Sequence, residues 1–157
     1  MTARIIKPPE PIFCEEDTLS VFLAGSIEMG RAEDWQAVLE RALSDLPVVM
    51  LNPRRDAWDA SWEQSISNPE FRGQVEWELE GLERASLIAV YFAPDTKAPI
   101  TLLELGLFAQ SGRMVVCCPP GFWRRGNVEV VCARYGVPLV AELSELVRVV
   151  RERLRPG

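Results

Sequence analysis

The sequence predicts an α/β domain of flavodoxin-like, Rossmann-like type, a three-layer sandwich around a five-stranded parallel sheet. Three observations carry this. Short apolar runs alternate with longer amphipathic segments from end to end. The runs are continuously apolar, as in strands covered on both faces. Gly, Pro, Asn and Ser cluster at the joints. With 157 residues, 48% of them hydrophobic, residues 1–157 suit a single domain with its own core.

The elements follow in order. Residues 1–18 read as an extended, polar, proline-bearing lead-in. Residues 19–24 form the first strand, ended by Gly25-Ser26. Residues 34–46 form a helix with Trp35, Val38, Leu39, Ala42, Leu43 and Leu46 on one stripe. Residues 47–51 are the second strand, and 52–67 a long loop with Trp58 and Trp62, of a length that is often functional. Asn68-Pro69-Glu70 is a helix start with a cap, a proline and an acid. That helix runs to Arg84 with Phe71, Val75, Leu79 and Leu82 inward. Residues 87–92 are the third strand. The next helix carries Glu104, runs to Gln110 and closes at Gly112 as a left-handed cap. Residues 114–118 are the fourth strand, 119–126 a loop, 127–135 a helical piece, 137–140 the fifth strand and 144–154 the last helix. In a flavodoxin-like order the site lies at the carboxyl ends of the first and third strands.

Composition narrows the function. A net charge of −6 argues against a nucleic-acid surface. There is no histidine, and the four cysteines (Cys14, Cys117, Cys118, Cys132) form no Cys-x-x-Cys, which argues against structural zinc. Cys117 and Cys118 lie in an apolar run and read as buried thiols. No signal peptide or membrane span is visible, so the chain reads as cytoplasmic with no membrane partner. Acid–base work then falls to carboxylates, Tyr, Lys, Cys or water.

Glu104 is the most informative residue. It sits in Ile100-Thr101-Leu102-Leu103-Glu104-Leu105-Gly106-Leu107, and an unpaired carboxylate among apolar side chains is costly to bury. Two readings fit. Thr101 and Glu104 match a capping box, or Glu104 faces a crevice as a nucleophile. Gly25-Ser26-Ile27-Glu28-Met29-Gly30 is neither a dinucleotide fingerprint nor a Walker A motif. The Gly25 backbone and Ser26 would hold a hydroxyl or phosphate, or simply make a turn. The loop from Asn52 through Arg54, Arg55 and Asp56 to Trp58 offers an amide, cations, an acid and an indole suited to a sugar or base, or else a polar loop covering the core. On the helix before the third strand, Glu76, Glu80 and Glu83 share a solvated face, whereas Glu78 points elsewhere. Glu78 and Glu104 together would divide proton handling and nucleophilic attack.

These segments resemble the nucleoside 2-deoxyribosyltransferase family. The resemblance rests on Phe22-Leu23-Ala24-Gly25-Ser26, Glu78-Leu79-Glu80-Gly81-Leu82, the run from Leu87 to Asp95, Glu104-Leu105-Gly106 and Gly126-Asn127-Val128, with matching spacing from Pro94 to Glu104. It implies a flavodoxin-like fold and transfer of 2-deoxyribose between nucleobases through a covalent sugar–carboxylate intermediate. Glu104 matches the nucleophile and Glu78 the acid that contacts the base. Asn127 matches an asparagine that a neighbouring subunit donates to the sugar 5′-hydroxyl, implying a homo-oligomer. Tyr91 and Asp95 are implied substrate contacts, alongside Gly25, Ser26, Asn52, Arg55 and Trp58. No metal or cofactor is implied; the partners are a nucleoside or nucleotide and a free nucleobase. The chain departs from the family pattern at Val21 and Ala98, where a tyrosine and an aspartate are usual, at Pro99-Ile100-Thr101 and in its tail. The Asn52 loop is closer to enzymes that hydrolyse nucleoside 5′-monophosphates. Hydrolysis by an N-glycosidase, with Arg54, Arg55 or Arg125 on a phosphate, is therefore one alternative. A nucleotide-binding module without turnover is another.

Overall fold

The computed structural model describes residues 2–27, 34–55 and 61–155. The elements are β1 (Arg4–Ile6), β2 (Ser20–Gly25), α1 (Trp35–Ala42), β3 (Val49–Leu51), α2 (Pro69–Arg84), β4 (Leu87–Tyr91), α3 (Pro99–Phe108), β5 (Met114–Cys117), α4 (Arg125–Tyr135), β6 (Leu139–Val140) and α5 (Leu143–Leu154). All strand pairs are parallel, in the order β1-β3-β2-β4-β5-β6.

The inner five strands follow the flavodoxin order, but the sheet has six strands rather than five. The addition comes from the supposed lead-in. Ile5 pairs with Met50, and the Asn52 amide donates to the Ile6 carbonyl at 3.0 Å, beyond which Pro8-Pro9 cannot extend the ladder. A three-residue strand is too short to show a period, which is why the sequence hides it.

The continuous apolar strands divide their residues between two cores. Val21, Leu23, Ala89, Tyr91, Val115 and Cys117 face α1 and α5. Phe22, Ala24, Ile88, Val90, Phe92 and Val116 face α2, α3 and α4. Full burial of each large side chain contributes about 1.5–3 kcal/mol, so each face is anchored many times over.

The helices form where local signals place them. Asp34 caps α1, accepting from the Ala37 amide at 3.1 Å. Asn68 caps α2, accepting from Phe71 at 3.0 Å, with Pro69 in the first turn. Gly112 is left-handed, as anticipated (φ 75°). The phase of α2 differs from expectation. Val75 is exposed, and the buried stripe is Gln74, Trp77, Gly81 and Leu82. Gly81 is required by contact, because a Cβ there would stand 2.7 Å from the Phe22 ring.

β2 has β3 on one side and β4 on the other. Its carboxyl end, beside that of β4, is the switch point where open α/β sheets place ligands.

Candidate active site

The segment after β4 enters α3 through Ala98, which is left-handed (φ 45°) and precedes Pro99 in the first turn. A non-glycine residue there is strained by about 1–2 kcal/mol. No side chain caps this helix. Thr101 lies inside its first turn, buried, so the capping-box reading is corrected: the cap position falls at Ala98. Glu104 sits one turn further in and is only 7% exposed. Among the described residues no hydrogen bond or ion pair holds it.

Glu78 approaches from α2. Burial pushes its carboxyl up to about 7, opposed by a hydrogen bond from Gln74. Burial pushes Glu104 up to about 8, and the charge of Glu78 adds to the shift. Repulsion is mutual, so the two carboxyls form a pair that keeps its last proton into the neutral range.

Gln74, one turn before Glu78 on α2, joins this pair to the loop after β3. Its Nε2 donates to the Glu78 carboxylate (3.2 Å) and to the Pro53 carbonyl (3.0 Å), and its Oε1 accepts from Arg55 (3.4 Å). The Arg55 guanidinium lies over the Trp62 ring, 4.8 Å from its centroid. Asn52 is buried with both ends of its amide engaged, donating to Glu40 at 2.5 Å and accepting from the Arg54 amide at 2.9 Å. Its visible work is shaping the loop that presents Arg55.

At the switch point, Ser26 is buried and welds β2 to the loop after β4. Its Oγ accepts from the Ala93 amide at 3.0 Å and lies 2.9 Å from the Thr96 hydroxyl. Gly25 is glycine for packing, since a Cβ would collide with the Trp35 indole and the Tyr91 carbonyl. Tyr91 is buried with its ring 5.4 Å from that of Trp35.

The structure thus joins Glu78 to Arg55 through Gln74, with Glu104 near Glu78 and Asn52 in the loop that carries Arg55, and sets Gly25, Ser26 and Tyr91 at the strand ends. Asp95 is exposed in the loop before α3. Asn127 is exposed in the first turn of α4, where it lines a groove of about 270 Å³ with Leu102, Trp123 and Arg124. Leu102 and Glu104 lie about 200° apart round α3, so this groove opens on the other side of the helix. Trp58 lies outside the described residues.

Gln74 and Thr96 were not singled out in the sequence. The available signal was the spacing of Gln74 four residues before Glu78. Of the other cations, Arg54 is held by Gln36 (3.1 Å) and Asp34 (3.5 Å), and Arg125 by the Cys118 carbonyl (3.1 Å) and Glu129 (2.9 Å). Cys117, Cys118 and Cys132 are buried free thiols, pushed up to about 12, 11 and 11 by that burial. Among the described residues no helix is long and apolar enough to cross a membrane.

Comparison with known proteins agrees with this picture. A crystal structure described as that of a conserved protein from Enterococcus faecalis V583 has a similar fold, with a TM-score of 0.60 and 13% identity over 87% of this chain and 99% of that one. No curated protein sequence matches the chain. The model of the family described as nucleoside 2-deoxyribosyltransferase like matches residues 18–122, a span that holds β2 through β5 and both Glu78 and Glu104. The chain belongs to that nucleoside 2-deoxyribosyltransferase-like family.

Proposed function

We propose that the protein is an N-deoxyribosyltransferase that works through a covalent glycosyl-glutamate. The observation that carries this is the carboxyl pair: buried Glu104 on α3 lies near enough to half-buried Glu78 on α2 to feel its charge. In the first half-reaction the Glu104 carboxylate forms a bond to the anomeric carbon. The bond from that carbon to the base nitrogen breaks, and the base leaves with its electron pair. The proton kept by the pair goes to the base through Glu78. In the second half-reaction a nitrogen of the incoming base attacks, the ester bond breaks, Glu104 leaves as carboxylate and Glu78 recovers a proton. Two inversions at one carbon give net retention. Splitting the displacement lowers each barrier.

Asn127 fits donation to a neighbouring subunit, because in its own chain it borders a groove on the far side of α3 from Glu104. The outer face of α3, with Ile100, Leu103 and Leu107 each more than half exposed, suits contact with a second copy.

A second reading is hydrolysis of nucleoside 5′-monophosphates. It is favoured by Arg55, a cation joined to Glu78 through Gln74, whose contacts among the described residues are the neutral Gln74 amide and the Trp62 ring. Incubation of a 2′-deoxynucleoside with a second free base separates the readings. Transfer yields the exchanged nucleoside. Free sugar alone, or turnover confined to 5′-monophosphates, would overturn transfer in favour of hydrolysis. No turnover and no adduct with a 2-fluoro-arabinosyl nucleoside would leave a binding module.

A further inference from the structure

The amide of Gln74 has no rotational choice. Arg55 only donates, so it requires the Gln74 oxygen, and the Pro53 carbonyl only accepts, so it requires the nitrogen. Turning the amide over would set donor against donor at 3.4 Å and acceptor against acceptor at 3.0 Å. With the amide locked, an N–H of Gln74 points at the Glu78 Oε2, 3.2 Å away. Gln74 itself is only 5% exposed, so water offers little competition. Arg55 is in turn steadied by the Trp62 ring.

Among the described residues the charged groups around Glu78 are few. Glu104 approaches from α3, and Arg55 from the loop after β3 through Gln74. On its own helix Glu76 and Glu80 turn outward to Arg72 and Arg84. Glu104 receives no comparable donor among the described residues.

We propose that Gln74 is a positioning residue: it keeps Glu78 as a hydrogen-bond acceptor, so that the single proton of the carboxyl pair rests on Glu104 until a base is seated. This rests on the proposed roles of the pair and adds an order of events. The free protein holds its nucleophile capped. A base against Glu78 draws the proton across the pair, Glu104 becomes the carboxylate that attacks, and the same proton leaves on the base. One proton is counted throughout, and no other donor is needed. A capped nucleophile also protects a bound sugar from attack before the base is in place.

The test is a titration of ¹³C-labelled glutamate carboxyls by NMR in the free, full-length protein, with the two signals assigned from Glu78→Gln and Glu104→Gln. The expected result is that Glu78 ionises at lower pH than Glu104. Gln74→Met keeps the volume and removes the donor. It should move the Glu78 titration up by about one pH unit, the size of one hydrogen bond to a charged group. Arg55→Met frees the amide to turn and should move it in the same direction by less, while Arg55→Lys should restore it. Arg55→Met also serves if Gln74→Met fails to fold. An unmoved Glu78 in a folded variant, or Glu78 ionising after Glu104 in the native protein, overturns the proposal. Because the readout needs no turnover, it separates from the function. An active Glu104→Gln variant would sink the catalytic reading and leave this titration order standing.

Discussion

Helix α2 carries two kinds of glutamate, and the contrast between them is the most instructive in the molecule. Glu76 and Glu80 point outward, each against an arginine four residues away, Arg72 and Arg84, at 2.9 Å. Glu78, between them, points inward, touches no cation among the described residues and is raised to about 7. One residue type on one helix thus gives a surface ion pair or a carboxyl with a raised pKa, according to which side of the cylinder it occupies. The difference is environment: outside, solvent and an arginine surround the carboxylate, while inside burial opposes the charged form of Glu78.

The largest effect separating the two kinds should be on turnover. Glu104→Gln keeps the shape and removes the proposed nucleophile, and should lower kcat by roughly 10⁴-fold or more. Glu80→Gln should leave kcat within about twofold, since an exposed i,i+4 pair is worth only a few tenths of a kcal/mol. The native pH–rate profile should be a bell. Its acid limb falls as the pair takes up two protons and loses its carboxylate. That acid limb lies near 7, the value of Glu78, and the alkaline limb falls near 8, the value of Glu104, as the pair loses its last proton. Steady-state rates from pH 4 to 10 check both limbs. A flat profile, or an active Glu104→Gln, would remove the distinction.

The next effect is on stability, and its sign is opposite to that of most carboxylates. Glu104 is raised in the fold from 4.5 to about 8. Its contribution is fully present below about pH 4.5 and is lost as pH rises to about 8, because the unfolded chain ionises first. Asp45 behaves the other way. Its hydrogen bond from Arg151 lowers its pKa, so its contribution is lost at acid pH. Glu104→Gln should therefore match the native protein near pH 4.5 and exceed it by about 3–5 kcal/mol near pH 8.5. Urea midpoints of the two proteins across that range measure the difference directly. Equal midpoints at alkaline pH would mean that the carboxyl is not held in an apolar setting.

A third, smaller effect tests the scaffold. Gly81→Ala places a Cβ against the fully buried Phe22 ring and should cost about 1–3 kcal/mol. Because Gly81 is three residues from Glu78, less than one turn, the push should also disturb the placing of the inner glutamate. Turnover should fall further than stability alone explains, whereas Gly73→Ala, where a Cβ meets nothing within 4 Å, should not reduce it.

Much of this was legible in the sequence for identifiable reasons. The strands announced themselves as short apolar runs, and Asn68, Pro69 and Gly112 marked helix ends by their chemistry. Glu104 stood out because nothing apolar surrounds a carboxylate without cause. What stayed hidden was hidden physically. β1 is three residues long, below any detectable period. The inner stripe of α2, reading Gln74, Trp77, Glu78, Gly81, Leu82, looked polar because Gln74, Glu78 and Gly81 interrupt it, so the apolar count settled on the wrong phase. Thr101 mimicked a cap because nothing local reveals that the chain turns left-handed at Ala98. The partnership of Gln74 with Arg55 joins residues 19 positions apart and exists only once α2 lies over the β3 loop.

The smallest expected effect refines the outer half of the comparison. Glu80 and Arg84 form an exposed ion pair, with side chains 52% and 44% accessible, so Glu80→Gln should change stability by less than about 0.5 kcal/mol. Arg84 does more than pair. It also donates to the Ile12 carbonyl at 3.0 Å, tying the segment after β1 to α2. Arg84→Met should therefore cost about 1 kcal/mol, and the cost should persist in 1 M salt, where screening has erased the ion pair but not the hydrogen bond. Equal, salt-sensitive losses for the two substitutions would show that the carbonyl contact contributes nothing. On the predicted result, the outer glutamates decorate the helix, while Arg84 fastens the N-terminal segment that carries the sixth strand.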